Sequence, residues 1–347
     1  MFILHHYSMS PFSEKLRLMF GYAGVPWQSL PSPEMPPRPN IDPLSGGYRR
    51  IPIAQVGADI FCDSRLISAE IARESQRSSL DPAAASAAER DYAAHLEGEV
   101  FWAAVLSIGA GRTIRQLLRN VGVWKTLRFI KDRAGIGRTA RVAVPSARQA
   151  GTNFEEHLRE LEQRLQADFL SGQAAPSHLD FAAYHTLWFQ RVVGEVPMSL
   201  TLPRVEAWYT RMSDFGHGAV DEISRQQAFD VAAKATPREV PADHAQDALV
   251  GSTVTVAPTD YALEGVRGTL VGSSDERWIV ARQTDQFGPV HVHFPRQGFE
   301  LSCFRGVMPE YLEFLPSMRS RCSNSISMRN SRHTLTLAVA RRSTWLR

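Results

Sequence analysis

The segment Ser8-Met9-Ser10-Pro11-Phe12-Ser13 marks the point where a short apolar stretch gives way to a helical pattern. The residues before it, 2–7, have the length and apolar start of a buried strand. Ser10 is suited to the N-cap of a helix, and Pro11 to its first turn, where the missing N–H costs no hydrogen bond. The segment therefore predicts a strand-to-helix junction, with a helix that ends by Gly24.

The residues that follow predict helices covering a sheet. After a second strand over 27–30 and a proline-rich loop over 31–43, Gly57-Ala58-Asp59 separates two strands, 51–56 and 60–62, as in a hairpin. Asp63 or Ser64 then begins another helix. The order strand, helix, strand, loop, strand, strand, helix predicts an α/β domain of about 75 residues.

The middle of the chain predicts an all-helical region. Apolar residues at three- and four-residue steps over 153–170 predict an amphipathic helix. Ser177-His178-Leu179-Asp180 places an acid three residues after a Ser, close to a capping box, before an apolar run. The helical pattern extends to near Gln227, and the mixed polar residues that follow predict a linker.

Beyond the linker the apolar periodicity changes to two. Four short stretches, 253–256, 268–271, 277–280 and 290–294, predict strands of a small β-barrel or curled sheet. The predicted organisation is an α/β domain over 1–77, an all-helical domain over 82–228, a linker over 229–247, a small β-rich domain over 248–302 and a basic tail over 303–347. The Ser/Arg-rich composition of the tail predicts disorder.

Composition and charge argue against several classes of protein. Cys62, Cys303 and Cys322 are too few and too scattered for a disulfide framework or a zinc site, which favours a reducing, cytoplasmic setting. The most apolar stretch is shorter than the roughly 18 residues of a membrane span, and we find no signal peptide. Basic residues concentrate over 112–148 and in the tail, but neither stretch has a nucleic-acid motif. We therefore expect no membrane and no nucleic acid as partner.

The strand-to-helix junction at residues 7–13 contains several hydroxyl groups that can donate a hydrogen bond to a ligand. From local chemistry alone, Ser10 is an N-cap and nothing more. A Ser hydroxyl at a helix N-terminus can nevertheless donate a hydrogen bond to a bound anion, and Tyr7, Ser8 and Ser13 are alternative donors. Because positions 10 and 13 are both Ser, the Cys-x-x-Cys chemistry of thiol reductases is excluded here. Cys62, at a strand end, is better explained as a buried packing residue.

Four features in this order resemble the glutathione transferase family over residues 2–216. Ser10-Pro11-Phe12 is similar to the Ser-Pro-aromatic motif that opens the first helix of serine-type members. Asp42-Pro43 followed by Ile51-Pro52 resembles the family's loop and cis-proline strand start. Asp63-Ser64 resembles the acidic-then-Ser pair that opens the third helix, and residues 177–180 resemble the N-capping box of the helical domain. The resemblance implies a thioredoxin-like glutathione-binding domain followed by an all-α helical bundle domain.

The resemblance also implies roles for individual residues. Ser10 would activate the thiol of glutathione, with Tyr7 as the alternative, because other classes of the family place a catalytic Tyr near this point. The backbone of Ile51, before a cis Pro52, would bind the cysteinyl part as an added strand does. Residues implied to bind glutathione are Phe12, Arg50, Ile51 and Pro52, with Asp63 and Ser64 at the γ-glutamyl end; Arg50, or else Arg49, would pair with the glycyl carboxylate.

The implied function is that of a glutathione transferase. Glutathione would serve as co-substrate, and its thiolate would be conjugated to a small, often apolar electrophile in a cleft between the two domains of a homodimer. Two alternatives stay open: a glutathione transferase-like binding or scaffold protein without catalysis, and a glutathione-dependent isomerase or dehalogenase. No metal is expected, because His5, His6, His291 and His293 lack suitably spaced partners.

Two regions depart from the family pattern. The segment over 110–151 is longer and more basic than the family's usual helix connection, and it would lie near the second-substrate site. The β-rich segment over 250–301 is not part of the two-domain architecture. The sequence assigns this segment no activity.

Overall fold

The computed structural model describes residues 1–303, apart from residues 142–144 and 199 and the side chains of residues 120 and 121. Its first elements are β1 (Phe2–His6), α1 (Pro11–Ala23), β2 (Trp27–Pro31), α2 (Asp42–Ser45), β3 (Ile53–Val56), β4 (Asp59–Cys62) and α3 (Ser64–Ser75). β1 pairs in parallel with β2 and antiparallel with β3, and β4 completes the hairpin. This order confirms the predicted thioredoxin-like layer. The predicted tail lies outside the described residues, except for Cys303.

Local sequence determines both ends of α1. Ser10 has an extended backbone and accepts a hydrogen bond from the N–H of Ser13 at 3.2 Å. Gly24 ends the helix in the left-handed conformation, with φ of 68°, which glycine adopts without strain. Gly21 is required for another reason, because a Cβ there would lie 2.1 Å from the carbonyl oxygen of Gly216. The segment after the helical region therefore packs directly on α1.

In the described part of the chain, six α-helices follow the α/β layer before the chain returns to the sheet. They are α4 (Ala87–His95), α5 (Phe101–Ser107), α6 (Ala110–Thr139), α7 (Ala147–Arg164), α8 (His178–Trp188) and α9 (Pro203–Ser213), with π-helical turns at Leu96–Val100 and Phe189–Val193. α6 is broken at Gly122, which has φ of 78°. No helix among the described residues is long and apolar enough to cross a membrane.

Two sequence predictions for this region have different outcomes. The capping box at the start of α8 is confirmed, because the Asp180 carboxylate accepts the N–H of Ser177 at 2.9 Å. The boundaries of the helix predicted over 153–170 are wrong. That helix is α7, which begins after its N-cap Ser146 and ends at Arg164. Phe169 still joins the core, but from a turn that follows the helix.

After α9 the chain returns to the sheet. β5 (Val220–Glu222) pairs in parallel with β2, and α10 (Arg225–Lys234) follows it. The linker predicted over 229–247 is therefore wrong in its first part. Ser224 and Gln227 form the capping box of α10, and Ala228 is fully buried.

Five strands complete the described chain, and we call them the extension. They are β6 (Thr253–Pro258), β7 (Val266–Ser273), β8 (Arg277–Thr284), β9 (Gly288–Pro295) and β10 (Phe299–Cys303). Four of them contain the predicted strands, and β10 is additional. β9 pairs in parallel with β4, with Phe61 opposite His293, so that one ten-stranded sheet has the order β10-β6-β7-β8-β9-β4-β3-β1-β2-β5. Among the described residues this order runs between two edges, and no pairing closes the predicted barrel.

The extension shares its hydrophobic core with the α/β layer. One cluster of buried side chains takes Ile41, Leu44, Tyr48, Ile53 and Ile60 from the layer and Val254, Leu270, Val280, Val292 and Phe294 from the extension. β9 also covers the edge of β4, which would otherwise present unpaired backbone groups. The extension is therefore a continuation of the first domain and not the separate β-rich domain predicted over 248–302.

A buried ion cluster ties α3 to the extension. The Glu70 carboxylate is 3% exposed and accepts hydrogen bonds from Arg238 at 2.7 Å, Arg73 at 2.8 Å and Arg277 at 3.0 Å. Burial alone would favour the neutral acid, but the hydrogen bonds from Arg238 and Arg73 outweigh it and lower the pKa of Glu70 to about 2. The cluster is therefore charged at neutral pH.

Candidate thiol site

The register of the sheet brings the predicted site residues to one edge of the sheet, which is formed by strand ends and not by an outer strand. His5 of β1 lies opposite Ile53 of β3, and Ile53 lies opposite Cys62 of β4. The end of β1, the start of β3 and the end of β4 therefore meet at this edge. The residues that follow or precede these three ends are Tyr7 and Ser10, Ile51 and Pro52, and Asp63 and Ser64.

Ser10 lies at the N-terminus of α1 and is 2% exposed. Its Oγ accepts the N–H of Ser13 at 3.2 Å, and its own N–H donates to the carbonyl of Tyr7 at 3.1 Å. A hydroxyl has one proton to donate besides its acceptor lone pairs. The N-cap hydrogen bond uses the oxygen as acceptor, so the proton stays available for an anion at the helix N-terminus.

Arg17 of α1 holds the turn that precedes Ser10. Its guanidinium donates to the carbonyls of Ser8 at 3.0 Å and Tyr7 at 3.4 Å, and its Nε donates to Glu14 at 2.8 Å. Burial would raise the pKa of Glu14, but hydrogen bonds from His217 and Arg17 outweigh burial and lower it. The charged pair thus fixes the backbone on which Ser10 is mounted.

The alternative donors occupy different environments. Tyr7 is partly exposed at the same junction as Ser10, and it lies close enough to Arg38 to interact with it electrostatically. Ser8 is exposed. Ser13 is fully buried inside α1, and its Oγ has no hydrogen-bond partner among the described residues. Only Ser10 and Tyr7 therefore combine a donor group with a position at the sheet edge.

The remaining predicted glutathione residues have the expected backbone features. The Ile51–Pro52 peptide bond is cis, as predicted. The pairing of β3 begins at Ile53, which leaves the Ile51 backbone outside the ladder. Asp63 caps α3 by accepting the N–H of Arg65 at 2.9 Å and has φ of 81°, while Ser64 is the first residue of that helix and is 5% exposed.

Arg50 is already engaged by the extension. Its guanidinium donates to the carboxylate of Asp260 and to the carbonyl of Tyr261, and it lies 4.0 Å from the centroid of the Tyr261 ring. Arg49 is similarly engaged, by Asp132 of α6 and by Glu264 at 2.9 Å. The loop 259–265, between β6 and β7, thus lies on the two arginines that precede Ile51.

A row of half-buried aromatic rings leads away from Ser10. The ring centroids are 4.9 Å apart for Phe12 and Phe101, 5.3 Å for Phe101 and Trp102, and 5.7 Å for Trp102 and Tyr261. His185 of α8 lies 4.7 Å from Phe12. The row joins α1, α5 and the extension, so the surroundings of the site toward the helices are apolar.

The extension also supports the loop that precedes Ile51. Arg282 of β8 donates to the carbonyls of Pro43 at 3.1 Å and Leu44 at 3.0 Å, next to the last residue of α2. Tyr48 is 1% exposed, and its ring lies 5.7 Å from that of Phe294 and 6.2 Å from that of Phe299. Sequence reasoning missed these supports and the loop 259–265, because no local signal marks a partner some 200 residues away.

A second buried ionic cluster joins α1 to the helical region. Lys15, 0% exposed, contacts Glu97 at 2.5 Å and the Nε2 of His178 at 2.8 Å. Burial, and to a smaller extent the charge of Lys15, lower the pKa of His178 to about 3. The ring of His178 is therefore neutral and can accept a hydrogen bond from Lys15. Burial would raise the pKa of Glu97, but Lys15, His178 and Arg65 outweigh burial and lower it. The cavity beside the cluster, about 360 Å³, is lined by none of the residues predicted to bind glutathione.

Three of the buried histidines and Cys62 are accounted for by hydrogen bonds or packing. His5 pairs with Gln55 at 3.2 Å, His6 with Ser29 at 2.9 Å, and His293 with Asp59 at 2.7 Å. Cys62 is fully buried, and burial raises the pKa of its thiol. No group of three or more His, Cys, Asp or Glu side chains in the described part of the chain could hold a metal ion.

Comparison with known proteins identifies relatives of the chain. The N-terminal domain model of glutathione S-transferases matches residues 4–78. A glutathione S-transferase of Methylobacillus flagellatus KT, solved with GSH bound, is 14% identical over 62% of this chain and 99% of its own, with a TM-score of 0.41. A rice enzyme solved in complex with glutathione is 18% identical over 66% of this chain and 95% of its own, with a TM-score of 0.41. No curated protein matches the sequence.

A GST-like protein of Pseudomonas syringae has a much stronger similarity. It is 31% identical, and the match covers 87% of this chain and 99% of that protein, with a TM-score of 0.70. Residues 1–228 make up about two thirds of the chain, so the match extends beyond the α/β layer and the helical region. The chain belongs to the glutathione S-transferase family.

Proposed function

We propose that the protein is a glutathione transferase that binds a γ-glutamylcysteine-containing thiol such as glutathione, activates it as the thiolate and conjugates it to a small electrophile. The observation that supports this most directly is the position of Ser10. Its hydroxyl lies at the N-terminus of α1, at the sheet edge shared with the cis Ile51–Pro52 bond and the N-terminus of α3. We therefore expect a short extended thiol to bind among these groups.

The energy that thiol activation requires is modest. Lowering a thiol pKa from about 8.5 to about 6.5 takes roughly 2.7 kcal/mol of preferential stabilisation of the thiolate. One hydrogen bond to a charged acceptor contributes about 1.5–3 kcal/mol, and the helix N-terminus adds about 0.3–1 kcal/mol. The hydroxyl of Ser10 with α1 is therefore sufficient, and no general base is needed.

The neighbouring groups suggest how the co-substrate would be oriented. The Ile51 backbone would hold the cysteinyl part as an added strand, since it lies outside the β3 pairing. The N-terminus of α3 would receive the γ-glutamyl carboxylate at Ser64, with the Asp63 carboxylate beside it. Phe12, Phe101 and Trp102 would provide an apolar wall for the electrophile.

One structural observation constrains the expected homodimer. The outer edge of β4 is covered by β9 of the same chain, so a second copy has to associate through another surface. The scaffold alternative has less support than catalysis, because the extension packs on the chain's own thiol site through Asp260 and Tyr261.

A conjugation assay with an activated aryl halide tests this proposal. We expect Ser10→Ala to lower the rate at neutral pH by about ten- to a hundredfold, because one charged hydrogen bond is lost. Ser10→Thr, which keeps the hydroxyl, should retain most of the rate, and Ser8→Ala, which removes an exposed hydroxyl two residues away, should leave it unchanged. An unchanged rate in Ser10→Ala would mean that Tyr7 activates the thiol, and Tyr7→Phe should then lower the conjugation rate.

A further inference from the structure

The loop 259–265 occupies the guanidinium of Arg50, the group that the sequence resemblance assigns, ahead of Arg49, to the glycyl carboxylate. Arg50 donates to the Asp260 carboxylate and the Tyr261 carbonyl, with the Tyr261 ring at 4.0 Å and the Phe299 ring at 5.8 Å. The Arg50 side chain is 14% exposed, and its Nε is buried without a partner among the described residues. A bidentate contact with a substrate carboxylate would therefore require this loop to leave.

The loop is held in place on several sides. Asp260 accepts the N–H of Tyr261 at 2.9 Å with its carboxylate and the N–H of Arg141 at 2.6 Å with its carbonyl. Thr259 binds the carbonyl of Gly298 through its N–H at 3.0 Å and its hydroxyl at 3.1 Å. The Tyr261 ring also packs edge-on against Trp102, with their ring centroids 5.7 Å apart. These contacts keep the Asp260 carboxylate on Arg50.

Three other arginines near this end of the site also have partners. Arg49 is paired with Asp132 and Glu264. Arg38 is buried and donates to the backbone carbonyls of residues 33, 34 and 49. Arg133 donates to the carbonyl of Glu34 at 3.4 Å. A carboxylate arriving at Arg50 therefore competes with an acid supplied by the protein itself.

We infer that this site selects its thiol by the γ-glutamyl and cysteinyl parts alone, with Asp260 excluding an ion pair between Arg50 and a glycyl carboxylate. The co-substrate class is then γ-glutamylcysteine thiols in general, including those that lack the glycyl residue or carry it as a neutral amide. This inference rests on the proposed function. Asp260 is a specificity-determining residue that acts through Arg50 and does not touch the thiol.

Calorimetric titration of the full-length protein with reduced glutathione and with γ-glutamylcysteine tests this inference. We expect the two dissociation constants to agree within about threefold. Asp260→Asn keeps the hydrogen bond to the Tyr261 N–H but removes the ion pair that opposes displacement of the loop from Arg50, so glutathione should bind about tenfold or more tightly while γ-glutamylcysteine changes little. Asp275→Asn, the same change at an exposed acid of the turn between β7 and β8, is the matched control and should behave as the wild type.

The outcomes separate the inference from the function it rests on. A wild-type preference of tenfold or more for glutathione, unchanged in Asp260→Asn, would overturn the inference and leave the proposed function standing. If neither thiol binds to protein whose far-ultraviolet circular dichroism is native, the proposed function itself fails. Equal affinities in the wild type with a gain for glutathione in Asp260→Asn alone support both.

Discussion

The first 64 residues and the extension serve the same site by different physical means. In the first region, each functional group depends on its immediate sequence neighbours: Ser10 caps α1, and Asp63 caps α3 within two residues. In the extension, every contact with the site is made across some 200 residues, as between Arg50 and Asp260 or Arg282 and Leu44. The groups that we propose to bind the thiol are therefore positioned by local sequence, whereas the contacts that support them, and the selectivity proposed for Asp260, come from distant parts of the chain.

The largest expected effect tests whether the two regions unfold together. Phe294 is fully buried in the core that they share, so Phe294→Ala should lower the free energy of unfolding by about 3–5 kcal/mol. Denaturant unfolding followed by circular dichroism and by thiol binding should give one transition, shifted equally for both signals. Val231→Ala, at a 37% exposed position, is the control. Two separate transitions, with thiol binding surviving the first, would restore an independent β-rich domain.

The ion cluster at Glu70 should be the next largest contributor. Glu70→Gln leaves three arginines without their carboxylate, and the depressed pKa corresponds to a loss of about 3 kcal/mol. Because the folded pKa of about 2 lies below the ordinary value of 4.5, this stabilisation is present above that value and is lost as the pH falls through this interval. The free energy of unfolding of Glu70→Gln should therefore fall less steeply than that of the wild type as the pH decreases between these two values. The exposed Glu74, changed to Gln on the same helix, should have little effect on either measurement.

A smaller effect is expected where the extension supports the loop before Ile51. Arg282→Met removes two hydrogen bonds to the carbonyls of Pro43 and Leu44, and it should cost about 1–2 kcal/mol of stability. Glutathione should also bind a few fold more weakly in calorimetry, because the backbone of Ile51 is less well positioned. Gln283→Met, at the exposed neighbouring position, controls for the added apolar side chain. Equal thiol affinity in both variants would mean that the extension does not support the site.

The smallest effect distinguishes a helix from a linker after β5. Ser224→Ala breaks the capping box of α10 and should reduce stability by about 1 kcal/mol, which thermal unfolding can detect. Ser177→Ala, which breaks the predicted capping box of α8, provides the comparison and should have a similar cost. A change near zero for Ser224→Ala alone would return this segment to the linker that the sequence predicts.

The sequence predicts the α/β layer well because its signals are short in range. Ser10-Pro11 and Asp63-Ser64 mark helix starts by chemistry that operates within one turn, and those boundaries agree with the structure. The capping box Ser224–Gln227 was an equally local signal, and it could have identified α10. The three residues of β5, all exposed, have no apolar alternation, so nothing in them marks a strand.

The rest of the site could not be predicted because it depends on pairings between distant segments. The apolar alternation in β9 predicts a strand but not that it pairs with β4. Without that pairing, the strands of the extension are expected to form a separate barrel. The resemblance assigns a substrate carboxylate to Arg50, ahead of Arg49, because Arg50 is nearer the strand. The acid that engages it, Asp260, follows a strand that is far away in the chain.

We propose that the groups around Ser10 activate a thiol, and the ultraviolet absorbance of the thiolate measures that activation without a second substrate. Glutathione is added to the purified protein and the thiolate band is followed across pH, with no second substrate present. We expect a band with a midpoint at pH ~6.5, about two units below that of the free thiol, and a rise of about one to two units in Ser10→Ala. If glutathione binds but its thiol keeps the midpoint of the free thiol, Ser10 and α1 do not activate it.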